Sequence, residues 1–545
     1  MSVGGRFRSG LARALELLSR WSVVLIAALW FAAAFATLIY EWGLNPLVFP
    51  AQDEAVVRFA ARLISEHGHP FLTLPFPDPE DMAHPRQWLS QGTTALPIYA
   101  PVSLYGYGQL LRLGSVSLWL ISVLPASAAA AFAAGVARLL PVARRWLALL
   151  APLLGFVSFY WLMRPWMNLS MVLVCLCWAF FFWTLWIEKA RTHWLAASLL
   201  AVGMAAAVRP DYAGFVLLCA VMLIVASRPA SWKPVLLFAS VAGVCAVVPN
   251  LILNKAETGH ALRAVYQLAL DRQYGDDPTH GLDNGLPGFA VLKVLFLPMG
   301  VPPWRVFQVE FKKYFVSMGP APVLLLWQLA LLPMLRQKTL ISRLLLLATV
   351  LFSMFFVGTH LHNGLFGSGA SIGMVHHSVP RYLAPVFLFG PLAPLLLIGR
   401  ARSKWLFGLG SALALALAID SGYELYVKQL SSFDFVHRWV RQKEASLDAL
   451  SRAIPGNAIV YSVMDDKVLW SKWRVAFIAD PQPTVSSMKR AVDAQLPVYV
   501  LEPSPGRKLR QLMALLKTEN LKLTKLGHQP LYRLDRLPPA AAPAP

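Results

Sequence analysis

Residues 21–41 read WSVVLIAALWFAAAFATLIYE, an apolar run whose first charged side chain is Glu41 at its very end. About 20 consecutive apolar residues are enough for an α-helix to cross the hydrocarbon core of a bilayer. Similar runs recur along the chain, and together they predict about eleven membrane-spanning helices. These lie near 21–41, 115–138, 146–163, 168–187, 193–208, 211–227, 233–252, 320–335, 343–359, 381–399 and 403–420.

The composition excludes an ordinary soluble protein. Of the 545 residues, 57% are hydrophobic and only 14% are charged, with a mean hydropathy of +0.54, whereas soluble domains have about 25% charged residues. The 49 Lys and Arg residues exceed the 28 Asp and Glu residues by 21. Because Lys and Arg concentrate in the cytoplasmic loops of membrane proteins, this excess does not require nucleic acid, and no nucleic-acid partner is predicted. The four cysteines lie in apolar runs and predict no disulfide framework.

The distribution of basic residues predicts the orientation in the membrane. Four arginines precede the first run and place the N-terminus in the cytoplasm. Every second connection after it is short and basic, and an odd number of spans places the C-terminal segment outside. The richness in Ala, Leu and Arg favours a bacterial inner membrane.

On this topology, residues 1–425 form a transmembrane domain with large outer loops at 42–112, 253–319 and 360–380. Charged residues become frequent from about residue 430, and short β-like runs appear at 458–461 and 498–501, with a helical pattern over 506–523. Strands that alternate with helices predict a soluble α/β domain with a partly parallel sheet over 426–537. The Pro- and Ala-rich residues 538–545 are predicted to be a disordered tail. The fold class is therefore a polytopic α-helical membrane protein with a C-terminal soluble α/β domain.

An acidic pair, Asp53 and Glu54, follows the first span. From Ala55 to about His67, apolar side chains at helical spacing predict an amphipathic helix along the outer surface of the membrane. Asp53 is therefore either the N-cap of this helix or a catalytic base. A helix N-terminus favours the ionised carboxylate and weakens it as a base, whereas Glu54 and nearby apolar surface act in the opposite direction.

A Pro- and Tyr-rich segment follows in the same loop, at 92–107, with the sequence GTTALPIYAPVSLYGY. Its prolines argue against a full span at this point, so the segment predicts a re-entrant or interfacial helix that ends near Leu113 and Gly114. Tyr99 and Tyr105 are either interface anchors, a common role of Tyr in membrane proteins, or substrate contacts.

Taken together, these pieces resemble the GT-C superfamily of polyprenyl-phosphate-dependent glycosyltransferases, which includes the protein O-mannosyltransferases and the lipid A aminoarabinose transferases. The acidic pair, the 92–107 segment, the Arg209-Pro210-Asp211 turn and the Arg381-Tyr382-Leu383 start of a late span occur in similar order. The likeness covers about residues 20–420. The usual His-Pro-Pro-Leu or Lys-Pro-Pro-Leu element is Ala-Leu-Pro-Ile at 95–98, which puts an acceptor- or metal-binding side chain in doubt.

The resemblance implies an inverting transfer of a sugar from a polyprenyl-phosphate donor to a lipid, glycan or protein acceptor on the outer face. Asp53 would act as the base, with Glu54 orienting it or sharing a metal site. Arg381 would bind the donor phosphate, with Arg209 and Arg58 as further candidates. Substrate contacts are expected from Tyr99, Tyr105, Tyr382 and His377.

The sequence leaves the cofactor and two other classes of function open. A divalent metal is possible, and ligands are offered by Asp276, Asp277, His360, His362, His376 and His377, although none has structural zinc spacing. A lipid or oligosaccharide transporter or flippase would have a similar number of spans, and a non-catalytic relative would serve in envelope assembly. Acidic residues that avoid the span centres and gather outside favour an enzyme over a transporter.

Overall fold

The computed structural model describes residues 3–43, 46–79, 81–85, 87–209, 232–261, 265, 384, 387–428, 432–463, 465–478, 480–502, 507–527 and 530–537. Side chains are described from residue 21 onward, except at 52, 393 and 466. Within these ranges the chain divides into two compact units. The first contains residues 1–44, 118–252 and 276–436, and the second contains residues 45–117, 253–275 and 437–545.

The helices are α1 (Val3–Trp42), α2 (Gln52–His67), α3 (Pro101–Leu111), α4 (Ser115–Leu139), α5 (Ala151–Leu154), α6 (Phe156–Leu162), α7 (Asn168–Lys189), α8 (Thr192–Val208), α9 (Trp232–Thr258), α10 (Leu392–Arg400), α11 (Lys404–Tyr426), α12 (Phe433–Ser451), α13 (Asp466–Leu469), α14 (Pro481–Asp493) and α15 (Arg507–Thr518). A 3₁₀ helix covers Val142–Leu150. The strands are β1 (Leu72–Thr73), β2 (Trp88–Gln91), β3 (Thr94–Pro97), β4 (Ile459–Ser462), β5 (Arg474–Phe477), β6 (Val498–Leu501), β7 (Leu521–Lys525) and β8 (Leu531–Arg536).

Five helices of the described chain are long and apolar enough to cross a membrane. They are α4, α7, α9, α11 and the part of α1 from Trp21 to Trp42. A sixth candidate is the pair Val142–Leu154 and Phe156–Leu162, which is bent by 67°. Their length and hydropathy make the chain a polytopic membrane protein.

The predicted spans are found in part. The runs near 21–41, 115–138, 168–187, 233–252 and 403–420 correspond to the five long helices, and the run near 146–163 to the bent pair. The run near 193–208 is α8, a shorter apolar helix of 17 residues. The run near 381–399 is described only in part, and those near 211–227, 320–335 and 343–359 lie outside the described residues, so the total of eleven stays a prediction.

Small residues allow close helix packing in the first unit. A Cβ on Gly203 of α8 would lie 2.5 Å from the backbone oxygen of Ala242 in α9, and one on Gly135 of α4 would lie 2.7 Å from the ring of Phe180 in α7. Membrane helices use such residues because bilayer lipid provides no hydrophobic force between them, so contact depends on close approach.

The second unit contains a five-stranded mixed sheet of order β5-β4-β6-β8-β7. Strand β4 pairs in parallel with both β5 and β6, while β8 is antiparallel to β6 and β7. Alternate side chains of its central strands enter two apolar clusters. One cluster contains Ile459 and Val500 with Leu512 of α15, and the other contains Val460 with Leu447 of α12.

The prediction of a helix over 506–523 is wrong at its C-terminal end. Helix α15 stops at Thr518, and Asn520 has a φ of +56°, a left-handed conformation that turns the chain. Leu521 and Leu523 then begin β7 with their side chains buried on one face. Leucines near the end of a helix fit the periodicity of a helix as well as that of a strand. Here their residues pair with β8, so they belong to a strand.

The second unit also contains chain from the predicted first outer loop. Strands β1, β3 and β2 form a small antiparallel sheet in that order, and Phe76 and Ala83 enter the same cluster as Ile459. Helix α3 is only 11 residues long, about 16 Å, which is too short for a span. Its re-entrant or interfacial position in the membrane stays a prediction.

Helices α2 and α3 contact closely at Gly108, and this contact predicts a stability effect. A Cβ there would lie 2.5 Å from Cγ2 of Ile64 and 3.2 Å from the carbonyl oxygen of Ala61. We expect Gly108→Ala to lower the free energy of unfolding by about 1–3 kcal/mol through overpacking. Thermal unfolding of the full chain in detergent, followed by tryptophan fluorescence, measures the change as a lower Tm.

The matched control is Gly106→Ala, two residues away in the same helix. A Cβ at Gly106 would have no atom of the described residues within 4 Å, so this variant is expected to leave the Tm unchanged or to raise it, since Ala favours a helix over Gly. Equal midpoints for the two variants would contradict the close contact of α2 with α3.

Candidate active site

Asp53 lies in the first turn of α2 and is not its N-cap. The helix starts at Gln52, three residues earlier than the apolar pattern predicts, and the N-cap is Ala51 with extended backbone (φ −104°, ψ 141°). An N-cap residue has non-helical φ and ψ, whereas Asp53 is already helical. The N-cap interpretation of Asp53 is therefore wrong, and its side chain is available for contacts across the loop.

The neighbouring Glu54 has a described role at the start of the helix. Its side chain is fully buried, and its Oε2 accepts a hydrogen bond of 3.3 Å from the backbone N–H of Ala51. This bond is the returning half of a capping box, in which the third residue of a helix satisfies the N-cap N–H. A catalytic role for Glu54 stays a prediction.

Asp53 forms a cluster with Tyr99 and Gln87. The Tyr99 hydroxyl lies 2.5 Å from Oδ1 of Asp53, and Nε2 of Gln87 donates to the same oxygen at 2.9 Å. The Tyr99 hydroxyl also contacts Oε1 of Gln87. A hydroxyl has one proton to donate, so it can serve only one of these two acceptors at a time. Hydrogen bonds from Tyr99 and Gln87 to Oδ1 fix the orientation of the Asp53 carboxylate.

A β-hairpin brings Gln87 and Tyr99 together. Strands β2 and β3 pair with Trp88 opposite Pro97, so Gln87 and Tyr99 both lie just beyond this end of the ladder. The N–H of Ile98 donates to the carbonyl of Gln87 at 2.8 Å. Gln87 has a φ of +64°, which turns the chain at this point. No local sequence pattern predicts Gln87, since only the antiparallel register of β2 and β3 brings its side chain to that of Tyr99.

Two further predicted residues lie on α2 and α3. Burial and, to a smaller extent, the Arg62 guanidinium lower the pKa of Arg58 to about 10 against the raising effect of Glu66, so Arg58 is cationic at neutral pH. Arg58 follows Glu54 by one turn and Asp53 by five residues, which turns it about 140° from Asp53 around the helix. Tyr105 is half-buried, and burial together with the charge of Glu257 raises its pKa.

The other predicted site residues are not found with Asp53 in the described part of the second unit. Arg209 belongs to the first unit, where it is the C-cap of α8 in extended backbone and its N–H donates to Ala205. Arg381, Tyr382 and His377 lie outside the described residues, as do all six metal ligands predicted from the sequence. The structure therefore brings Asp53 together with Tyr99, and the remaining pairings stay predictions.

A cavity of about 250 Å³ lies within the second unit. Its wall combines aromatic and cationic side chains with the loop after β1, and among its residues are Phe59, Leu74, Trp470, Lys472 and Arg474. Phe59 contacts the Trp470 ring with centroids 5.0 Å apart. Asp53 is not among the lining residues, so this cavity is a separate feature of the unit.

One group of side chains in the described chain has the composition of a metal site. Asp78, Asp81 and His84 each present a ligand atom within 4.8 Å of the others. They lie in the loop between β1 and β2, and no sequence motif predicts them as metal ligands.

The fold and these sites define an integral membrane protein with a hydrogen-bonded carboxylate in the segment that follows its first span in the sequence. No family model and no curated protein matches the chain. It is similar to a crystal structure of ArnT from Cupriavidus metallidurans in the apo state, over 93% of this chain and 97% of that one, with 13% identity and a TM-score of 0.43.

Proposed function

We propose that this chain is an inverting glycosyltransferase that moves a sugar from a polyprenyl-phosphate donor to a lipid, glycan or protein acceptor. The observation that carries the proposal is the Asp53 carboxylate, held by Tyr99 and Gln87 in the first turn of α2. The basic residues around the spans support a cytoplasmic N-terminus and a reaction on the outer face of a bacterial inner membrane.

The reaction needs a base at this point. An acceptor hydroxyl loses its proton as its oxygen bonds to the anomeric carbon, and the bond from that carbon to the phosphate oxygen breaks, with the electron pair leaving on the phosphate. Attack from the opposite face inverts the configuration. A carboxylate that takes the proton contributes about 10²–10⁴-fold to the rate. Asp53 would serve as this base, with Tyr99 and Gln87 as positioning residues.

The leaving phosphate requires a fixed positive charge. Arg is suited to it because the guanidinium donates two parallel hydrogen bonds to phosphate oxygens. Arg381 is the first candidate from the resemblance. Arg209 ends a helix that the predicted topology directs outward, and Arg58 keeps its charge at neutral pH because its pKa is about 10.

The cavity of the second unit is proposed to bind a part of the acceptor away from its reacting hydroxyl, since Asp53 does not line it. Its volume of about 250 Å³ is suited to a group the size of one sugar. Its aromatic wall of Phe59 and Trp470 and its cationic residues Lys472 and Arg474 suit an anionic headgroup. This assignment favours a charged lipid or glycan acceptor over an uncharged one.

Proteoliposomes that contain the purified chain test the proposal. Four preparations are made, each with one donor: polyprenyl phosphate linked to mannose, aminoarabinose, arabinose or glucose. Membranes from a strain that lacks the chain supply the acceptors. We expect one donor to be consumed, with release of polyprenyl phosphate detected by mass spectrometry. Folded protein that cleaves none of the four, or that moves intact donor across the bilayer, would contradict the proposal and would favour a scaffold or a flippase, respectively.

A further inference from the structure

The loop between β1 and β2 holds three potential metal ligands in a buried position. Asp78 is 1% exposed and His84 is 4% exposed, and the Asp81 side chain is 24% exposed. Backbone groups fix the two carboxylates, since the N–H of Ala83 donates to Oδ2 of Asp78 at 2.7 Å and that of Ser90 donates to Oδ1 of Asp81 at 2.6 Å. The three side chains are therefore directed toward one another before any ligand binds.

The hydrogen bonds of His84 determine which ring nitrogen could bind a cation. Nδ1 lies 2.7 Å from the carbonyl oxygen of Pro85, and a carbonyl can only accept, so Nδ1 carries a proton. Nε2 is then directed at Oδ1 of Asp81, 2.7 Å away. In metal sites a ligating His commonly donates its other N–H to a backbone carbonyl, which fixes the tautomer in this way.

A positive charge is needed between Nε2 of His84 and Oδ1 of Asp81. In the neutral tautomer both atoms present lone pairs, and two lone pairs at 2.7 Å repel each other. Two species can occupy this point: a second proton on the imidazole, or a metal cation. A proton on Nε2 satisfies Asp81 alone.

The environment of Asp78 favours a metal cation over a second proton on His84. Its Oδ1 is buried and has no hydrogen-bond partner among the described residues. A buried carboxylate oxygen without a partner is costly, because it has lost its hydration and gained nothing in exchange. A cation bound at the common point of the cluster would be in reach of this carboxylate as well as of Asp81 and His84, since all three ligand atoms lie within 4.8 Å.

We propose that Asp78, Asp81 and His84 bind one divalent transition-metal cation of the zinc class. One imidazole nitrogen with two carboxylate oxygens suits zinc, whereas calcium and magnesium prefer sites built from oxygen alone. Bonds of about 2.0–2.1 Å in a tetrahedral site separate the ligand atoms by about 3.3 Å. Binding would therefore move Nε2 of His84 and Oδ1 of Asp81 apart by about 0.6 Å.

The cation would join the loop to the five-stranded sheet within the second unit. The carbonyl of His84 accepts from the N–H of Phe477 in β5 at 3.0 Å, and Ala83 packs in the cluster that contains Ile459 of β4. A metal that fixes His84 therefore also fixes the edge of the sheet that this loop covers. The proposal concerns folding of the second unit and does not depend on the proposed sugar transfer.

Metal content of the intact protein tests this site. The full chain, purified in detergent through a tag without histidine, is dialysed against a chelator, incubated with zinc sulfate and passed over a gel-filtration column. We expect the wild type to retain one more zinc per chain than His84→Gln or Asp78→Asn. Cobalt in place of zinc is expected to give the visible absorption of a tetrahedral site in the wild type only.

The control is His67→Gln in the same unit. The His67 side chain is 57% exposed and lies outside the cluster, so this variant should retain as much zinc as the wild type. Asp78→Asn keeps the size of the side chain, so it decides the question if His84→Gln does not fold. Equal zinc in the wild type and in folded Asp78→Asn would overturn the proposal. The positive charge between His84 and Asp81 would then be a proton on Nε2 of His84.

Discussion

Asp53→Asn is expected to lower kcat for sugar transfer by about 10²–10⁴-fold, the range that a general base contributes. The amide has the size of the carboxylate and its oxygen can still accept from Tyr99 and Gln87, so the local geometry should be retained. The amide cannot take the proton that the acceptor hydroxyl loses. The measurement is the initial rate of polyprenyl phosphate release in proteoliposomes at saturating donor.

Glu66→Gln on the same helix is the matched control. Glu66 pairs with Arg62 on the surface at 2.7 Å, with both side chains about half-exposed, and exposed pairs of this kind contribute little to stability. Its rate should equal that of the wild type. If Asp53→Asn transfers sugar within about threefold of the wild type, Asp53 is not the base.

The second large effect is expected from the residues that hold Asp53. Tyr99→Phe and Gln87→Leu each remove one donor from Oδ1 of Asp53. Hydrogen bonds to charged groups contribute about 1.5–3 kcal/mol, so each variant should lower kcat by about 10–100-fold while KM stays near the wild-type value. Because both donors act on the same oxygen, the double variant should lose less than the product of the two single losses.

Two comparisons separate positioning from a general loss of structure. Tyr532→Phe removes a hydroxyl elsewhere in the second unit and should leave the rate unchanged. In an Asp53→Asn background, Tyr99→Phe should cause little further loss, because no base remains to be positioned. A full additional loss in that background would assign Tyr99 to the substrate or to the fold, and not to Asp53.

If these variants behave as expected, the transporter and scaffold alternatives lose their support. A flippase needs ionisable groups along a pathway through the bilayer and has no use for a positioned base at one surface. An assembly scaffold would tolerate Asp53→Asn, because the variant leaves the shape of α2 intact.

Local patterns predicted the membrane helices that the structure describes and the elements that flank the candidate site. The run at 21–41 is sufficient for α1 to cross a membrane, because length and hydropathy alone determine insertion. The apolar runs at 458–461 and 498–501 predict strands within one residue of β4 and β6, and the parallel pairing of these strands is observed. The amphipathic helix α2 was likewise predicted from spacing, but it begins at Gln52, so Asp53 lies within its first turn.

The tertiary structure decided which side chains meet. Gln87 and Tyr99 reach Asp53 only because β2 pairs with β3 in one register, and register depends on the whole hairpin. Asp78, Asp81 and His84 come together because their loop is folded back by bonds to Ser90 and to the sheet. Such contacts join residues whose separation in sequence has no fixed period, so propensity and hydropathy determined the helices and strands of this protein, and packing alone determined its sites.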